Sequence, residues 1–148
     1  MDVHNIFLQA HRGFAYLELL LVVVFLIALL VVMFGYSGKI TKLLRKSTLF
    51  TMIFFHLQFI IGLVMLVGTS GFMNTISEIG MGGLMKNADL RFTFIEHPFS
   101  MLIAAMLMTI VNKKVKTNDK LPMVAFILGI VAILLFVYAI PFAKLFNS

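Results

Sequence analysis

Three of the four histidines in this chain, His11, His56 and His97, occur in or beside long apolar segments, as do the carboxylates Glu18 and Glu96. Ionisable side chains are costly in hydrocarbon unless they are paired, hydrated or bound to a ligand, so each of them is a candidate functional residue. Imidazoles and carboxylates bind metals and relay protons, and imidazoles also ligate haem iron. Metal binding, proton transfer and haem binding are therefore the chemistries to weigh.

The composition predicts that membrane-spanning helices position these residues. Hydrophobic residues make up 61% of the 148 residues and charged residues 12%, and the mean hydropathy is +1.08. Since about 20 apolar residues cross the hydrocarbon of a bilayer, we predict four spans, near residues 6–34, 48–69, 92–111 and 121–142. The predicted fold class is all-α, an integral-membrane four-helix up-and-down bundle that forms one domain over residues 1–148.

Lysine and arginine residues are concentrated in two of the predicted connections. Of the twelve, four lie in residues 39–46 and four in residues 113–120. Cytoplasmic loops retain such residues, so we expect a bacterial inner-membrane protein with both termini in the periplasm. The loop over residues 73–90 should then lie along the outer surface. This topology and anionic lipid account for the net charge of +6, and we predict no nucleic-acid partner.

Helical spacing relates the polar residues of different spans. Residues seven apart lie on nearly the same face of an α-helix, so His11 and Glu18 share a face of the first span. Spans one and three are diagonal in an up-and-down bundle, and His97 lies at a depth similar to that of His11. These two imidazoles should therefore face each other near the outer end, whereas His56 on the second span lies deeper.

Two imidazoles on facing helices suit haem b, because helical bundles build cofactor sites between their helices. We predict His11 and His97 as the leading pair of iron ligands, with His56 as the alternative ligand. Glu18 is our preferred carboxylate for a hydrogen bond to a ligand histidine. A quinone is a second candidate cofactor.

The carboxylates and arginines allow two interpretations each. Protonated, Glu18 and Glu96 would act as hydrogen-bonding groups; ionised, they would relay protons or pair with Arg91 or Arg12. Arg91 and Arg12 are in turn candidates to bind either haem propionates or lipid phosphates. Sequence alone leaves these choices open.

Three segments of the chain resemble the histidine-bearing helices of small four-helix bacterial membrane proteins labelled cytochrome b-like. They are HRGFAYLELLLVVVFLIALL, LFTMIFFHLQFIIGLVMLV and MKNADLRFTFIEHPFSMLIAAMLMTI, of which FFHLQFIIG and LRFTFIEHP are the most specific parts. The resemblance covers nearly the whole chain and implies a haem b membrane protein with ligand roles for His11, His56 and His97. At the first histidine the family tends to read His-Ser followed by Leu-Arg-Trp, where this chain reads HRGFAY, which leaves any role of Arg12 in doubt.

Three functions therefore remain open at this point. The first is a haem b electron carrier or an accessory subunit of a larger respiratory membrane complex. The second is a protein in which His11, Glu18, Glu96 and His97 bind a divalent metal or relay protons. The third is a cofactor-free structural subunit. The chain has no cysteine and no HExxH or nucleotide-binding motif, so we expect a carrier or subunit rather than a stand-alone enzyme.

Overall fold

The computed structural model describes residues 2–146, and this part of the chain is helical without strands. The predicted all-α class is thereby confirmed. The α-helices are α1 (Val3–Gly35), α2 (Lys42–Val64), α3 (Phe72–Lys86), α4 (Ala88–Arg91), α5 (His97–Thr117), α6 (Met123–Ala139) and α7 (Phe142–Phe146). Two π-helical turns, Met65–Thr69 after α2 and Phe92–Glu96 before α5, continue the long helices at the same end of the molecule.

Local sequence signals explain where the helices begin and end. Thr41 caps α2 by accepting a hydrogen bond from the Leu44 amide at 3.1 Å, so this helix begins at Lys42, well before the predicted boundary at residue 48. Pro122 precedes α6 and Pro141 follows it. Because proline lacks an amide hydrogen, it limits helix growth at both places, and α6 is shorter than the predicted span 121–142.

Three helices in the described part are long and apolar enough to cross a membrane. They are α1, with 33 residues, α2 together with its π-helical turn, with 28, and the continuous helix Ala88–Thr117, with 30. Helix α6 is apolar but has 17 residues. The lengths are compatible with a membrane location for three of the four predicted spans.

The long helices pack side by side in a closed series. Helix α1 contacts α2, α2 contacts α5, α5 contacts α6, and α6 contacts α1. In the interior, the rings of Phe55 and Phe136 stack with centroids 5.4 Å apart. A Cβ atom at Gly129 would lie 3.3 Å from side-chain atoms of Phe25 and Leu29, so α1 and α6 approach closely there. Close packing of this kind holds helices together where the surrounding lipid is equally apolar.

The two basic connections meet at one end of the molecule. Arg45 of α2 donates hydrogen bonds to the carbonyls of Val115 at 2.6 Å and Asn118 at 3.1 Å. The backbone amide of Leu121 donates to the carbonyl of Gly38 at 2.7 Å. The carbonyls at the end of α5 thus obtain partners from α2, as helix ends require.

Candidate functional site: a cavity between α1, α2 and α5

A cavity of about 400 Å³ lies at the opposite end of the molecule, within the size range of small-molecule sites. Its walls come from α1, α2, α5, α6 and α7, and from both π-helical turns. Most lining residues are apolar, among them Phe59, Phe94, Met101 and Phe136. The ionisable and amide side chains at its surface are His11, Arg12, Glu18, Gln58, His97 and Lys144.

His11 of α1 and His97 of α5 face each other in this cavity. Their ring centroids are 6.1 Å apart, and the ring planes are nearly perpendicular at 84°. Both side chains are half-buried. The structure thus brings together the two imidazoles that helical spacing places at similar depth.

A hydrogen bond from α6 fixes the His97 ring. Its Nδ1 atom lies 2.6 Å from the carbonyl oxygen of Ala139. A carbonyl can only accept, so Nδ1 carries the hydrogen, and in the neutral ring Nε2 is left with a free lone pair. Histidine ligands of metals are commonly oriented in this way. The π-helical turn Phe92–Glu96 comes directly before His97, and such irregular turns recur at functional sites.

His11 is held through its backbone. Its carbonyl oxygen accepts a hydrogen bond from Nε2 of Gln58 at 2.9 Å. Its ring atom Nδ1 is buried and has no hydrogen-bond partner among the described residues. The ring also lies close to α2, since a Cβ atom at Gly62 would be 3.6 Å from Cε1 of His11. The lack of a side chain at Gly62 therefore leaves space beside the imidazole.

Glu18 and Gln58, which we call the cavity floor, lie further toward the basic end. Their relative exposures are 3% and 4%, and one side-chain oxygen of each, Oε1, has no hydrogen-bond partner in the described part of the chain. Unsatisfied buried polar atoms are uncommon, because each costs free energy that a partner would recover. Their convergence on one cavity is a feature of ligand sites.

His56, the alternative ligand, lies away from this cavity on an exposed face. Its Nδ1 atom donates to the carbonyl of Met52 at 2.8 Å, and its Nε2 atom lies 3.2 Å from the Thr109 hydroxyl. These contacts connect α2 to α5. The structure does not bring His56 together with His11 or His97.

Glu96 and Arg91 likewise do not line the cavity. Arg91 donates from Nε to Oε1 of Glu96 at 2.7 Å, and the Tyr138 hydroxyl donates to Oε2 at 2.6 Å. Arg91 also donates to the carbonyl of Met85 at 2.8 Å. The ion pair of Arg91 and Glu96 is one of the pairings considered from the sequence. The Tyr138 hydrogen bond to Glu96 joins the start of the α5 span to the end of α6.

Sequence reasoning does not identify the contributions of Gln58 and Lys144 to the cavity. By helical spacing Gln58 belongs to a packing stripe with Gly62, and Lys144 is only one of the basic residues of the outer side. A signal for Gln58 exists, because a polar side chain within an apolar span is a candidate functional residue. Lys144 offers none, since its position depends on how α7 folds back.

No group of three or more His, Cys, Asp or Glu side chains within residues 2–146 is arranged to hold a metal ion. A metal site built only from protein ligands usually needs three or four of them. A haem iron needs two axial ligands at most, because the macrocycle supplies the remainder. The pair His11 and His97 meets that lesser requirement.

Comparison with known proteins supplies no relative. No family model, no curated protein and no solved structure matches the chain. The functional assignment therefore rests on the geometry of the cavity.

Proposed function

We propose that this protein binds haem b between His11 and His97 and transfers electrons within a membrane. The observation that carries the proposal is the apposition of the two rings, 6.1 Å between centroids, across an apolar cavity. The free lone pair that the Ala139 carbonyl leaves on Nε2 of His97 adds support. Haem bound there would supply one-electron chemistry.

The other residues of the cavity fit such a group. Imidazole nitrogens bind metals such as zinc at about 2.0 Å, and the separation of the His11 and His97 rings leaves room for one metal atom between them. Aromatic and aliphatic walls exclude water and so influence the redox potential of a haem. Arg12 and Lys144 line the same cavity, and cationic side chains suit the carboxylates that haem b carries.

We further propose that the chain is a four-span protein of a bacterial inner membrane, with both termini in the periplasm. The three helices of spanning length and the joined basic connections support this topology. Helix α6 would be the fourth span, and the cavity would lie near the periplasmic side. A small electron carrier of this kind would act with a larger membrane complex or a quinone.

The test is a reduced-minus-oxidised absorption spectrum of protein purified from haem-replete cells. The wild type should show a Soret band and an α band, and His11→Ala and His97→Ala should each lose them or convert the haem to a high-spin form. His56→Ala is the matched control, because it removes an imidazole outside the cavity and should keep the wild-type spectrum. A colourless wild type that also fails to take up added haem would overturn the proposal. Loss of the spectrum in His56→Ala alone would refute the ligand pair.

A further inference from the structure

The cavity floor contains acceptor oxygens that require hydrogen-bond donors, and a bis-histidine haem does not supply these donors. Glu18 follows His11 by seven residues on α1, which places it about 10 Å further along the helix axis. The Gln58 amide lies nearer to the imidazoles, because its Nε2 atom is 2.9 Å from the His11 carbonyl. Oε1 of Glu18 and Oε1 of Gln58 are both buried and lack partners among the described residues. Haem b carries no hydrogen-bond donor with which to satisfy them.

The two unpartnered oxygens indicate which chemical groups a ligand must present to them. The Gln58 amide already uses Nε2 to donate to the His11 carbonyl at 2.9 Å, so its remaining atom, Oε1, can only accept. The unpartnered Oε1 of Glu18 accepts in the ionised carboxylate, and it also accepts in the carboxylic acid when the other oxygen carries the proton. A ligand that satisfies both unpartnered oxygens must therefore present hydrogen-bond donors to them.

The surrounding walls restrict the rest of the ligand. Met101, Phe136 and Phe94 line the cavity, and each is at most 8% exposed. Apolar walls with a few convergent polar groups favour a flat, largely apolar molecule with a small number of polar atoms. A ligand that reaches the site from a membrane must also dissolve in hydrocarbon.

We propose that the cavity floor binds a quinol, a dihydroxyarene whose hydroxyl groups donate to Gln58 and Glu18. The corresponding quinone is the poorer ligand, because its carbonyl oxygens can only accept and so leave both unpartnered oxygens unsatisfied. This site does not depend on haem, since the two floor oxygens lack partners within residues 2–146 whether or not the imidazoles bind iron.

The experiment measures binding by anaerobic calorimetry to the purified protein as isolated in detergent, with three ligands that share one ring system. They are a short-chain 1,4-naphthoquinol, its dimethyl ether and the parent naphthoquinone. The quinol should bind at least about tenfold more tightly than its ether, the factor expected for one lost hydrogen bond at a buried acceptor. Equal affinities for quinol and ether would overturn the proposal.

Two variants and one control test whether the preference for the quinol over its ether comes from the cavity floor. Gln58→Leu should reduce the preference for quinol over ether by about tenfold. Glu18→Gln, which is nearly isosteric and introduces an amide donor, should shift the preference toward the quinone. Thr51→Val is the control, because Thr51 is a buried polar residue of α2 that does not line the cavity, and its quinol preference should match the wild type.

Having two variants keeps the test decisive even if one of them does not fold. If Gln58→Leu does not fold, Glu18→Gln decides the matter, and an unchanged order of ligand affinities in that variant would contradict the site. A colourless protein that still prefers the quinol refutes the haem proposal alone. A haem protein without a quinol preference refutes the quinol site alone.

Discussion

The Nδ1 atom of His97 lies 2.6 Å from the carbonyl oxygen of Ala139, the last residue of α6. The last four carbonyls of a helix have no amide partner within that helix, and Pro141 shortly after the end supplies none. The end of α6 is therefore free to accept a hydrogen bond from α5. Through this contact, a helix terminus sets which nitrogen of His97 faces the cavity.

The first prediction is that His97 carries its hydrogen on Nδ1 in the ligand-free protein. The reason is that the Ala139 carbonyl can only accept. Histidine-selective ¹⁵N NMR of the protein in micelles measures the tautomer, with His97→Ala used to assign the signal. A resonance showing hydrogen on Nε2 and a free Nδ1 would contradict this contact between α5 and α6.

The second prediction concerns the space beside His11. Gly62→Leu should reduce haem affinity by about tenfold or more, because a larger side chain must displace atoms in a packed site. Gly62→Ala should have little effect, since its Cβ would lie 3.6 Å from the His11 ring, an ordinary contact distance. The measurement is haem titration followed by the Soret band.

The control for this prediction is Gly13→Leu on the neighbouring helix. Gly13 is exposed, does not line the cavity, and has no other atom within 4 Å of an added Cβ among the described residues. Its haem affinity should equal that of the wild type. If Gly62→Leu and Gly13→Leu behave alike, the space beside His11 is not where the ligand binds.

The third prediction concerns stability at the basic end. Arg45→Lys should destabilise the protein by about 1–2 kcal/mol, because lysine cannot reproduce the planar fork that contacts the Val115 and Asn118 carbonyls. Lys46→Ala, a change at an exposed neighbouring residue, should alter the unfolding free energy much less. Thermal unfolding in detergent measures both, and equal losses would show that the Arg45 hydrogen bonds contribute nothing specific.

The fourth prediction concerns the orientation of the protein in the membrane. Single-cysteine variants can test it, because the chain has no native cysteine. The variant Glu78→Cys, on α3, should react in intact cells with a maleimide that cannot cross the inner membrane. The variant Lys116→Cys, in a basic connection, should react only after the membrane is opened. The reverse pattern of labelling would place the cavity on the cytoplasmic side.

Hydropathy and helical spacing predict more of this molecule than any motif does. They identify the long apolar helices, because a segment that crosses hydrocarbon must be mostly apolar over about 20 consecutive residues. They also place His11 and His97 together, since the depth of a residue follows from its distance to the helix end. Boundaries are less accurate, as at Lys42, where the Thr41 cap decides the start of α2.

Contacts that depend on rotation about a helix axis are not predictable in the same way. A tyrosine near the end of an apolar segment, such as Tyr138, is typical of interfacial anchoring, yet the Tyr138 hydroxyl donates to Glu96 at 2.6 Å. It favours packing for Gln58, yet this residue borders the cavity. Hydropathy reports whether a residue is apolar but not which neighbour it meets, and a few degrees of helix rotation change the partner.

If α6 is the fourth span that we propose, its short length has a consequence for the surrounding bilayer. Its 17 residues span about 26 Å, less than the roughly 30 Å of a typical hydrocarbon layer. The other three long helices exceed that length, so a helix too short for the hydrocarbon layer would occur on one side of the molecule only. Lipids beside α6 would have to thin there and bring headgroups and water toward Lys144 and the cavity. The protein would thus create its own aqueous approach to a cavity whose walls are mostly apolar.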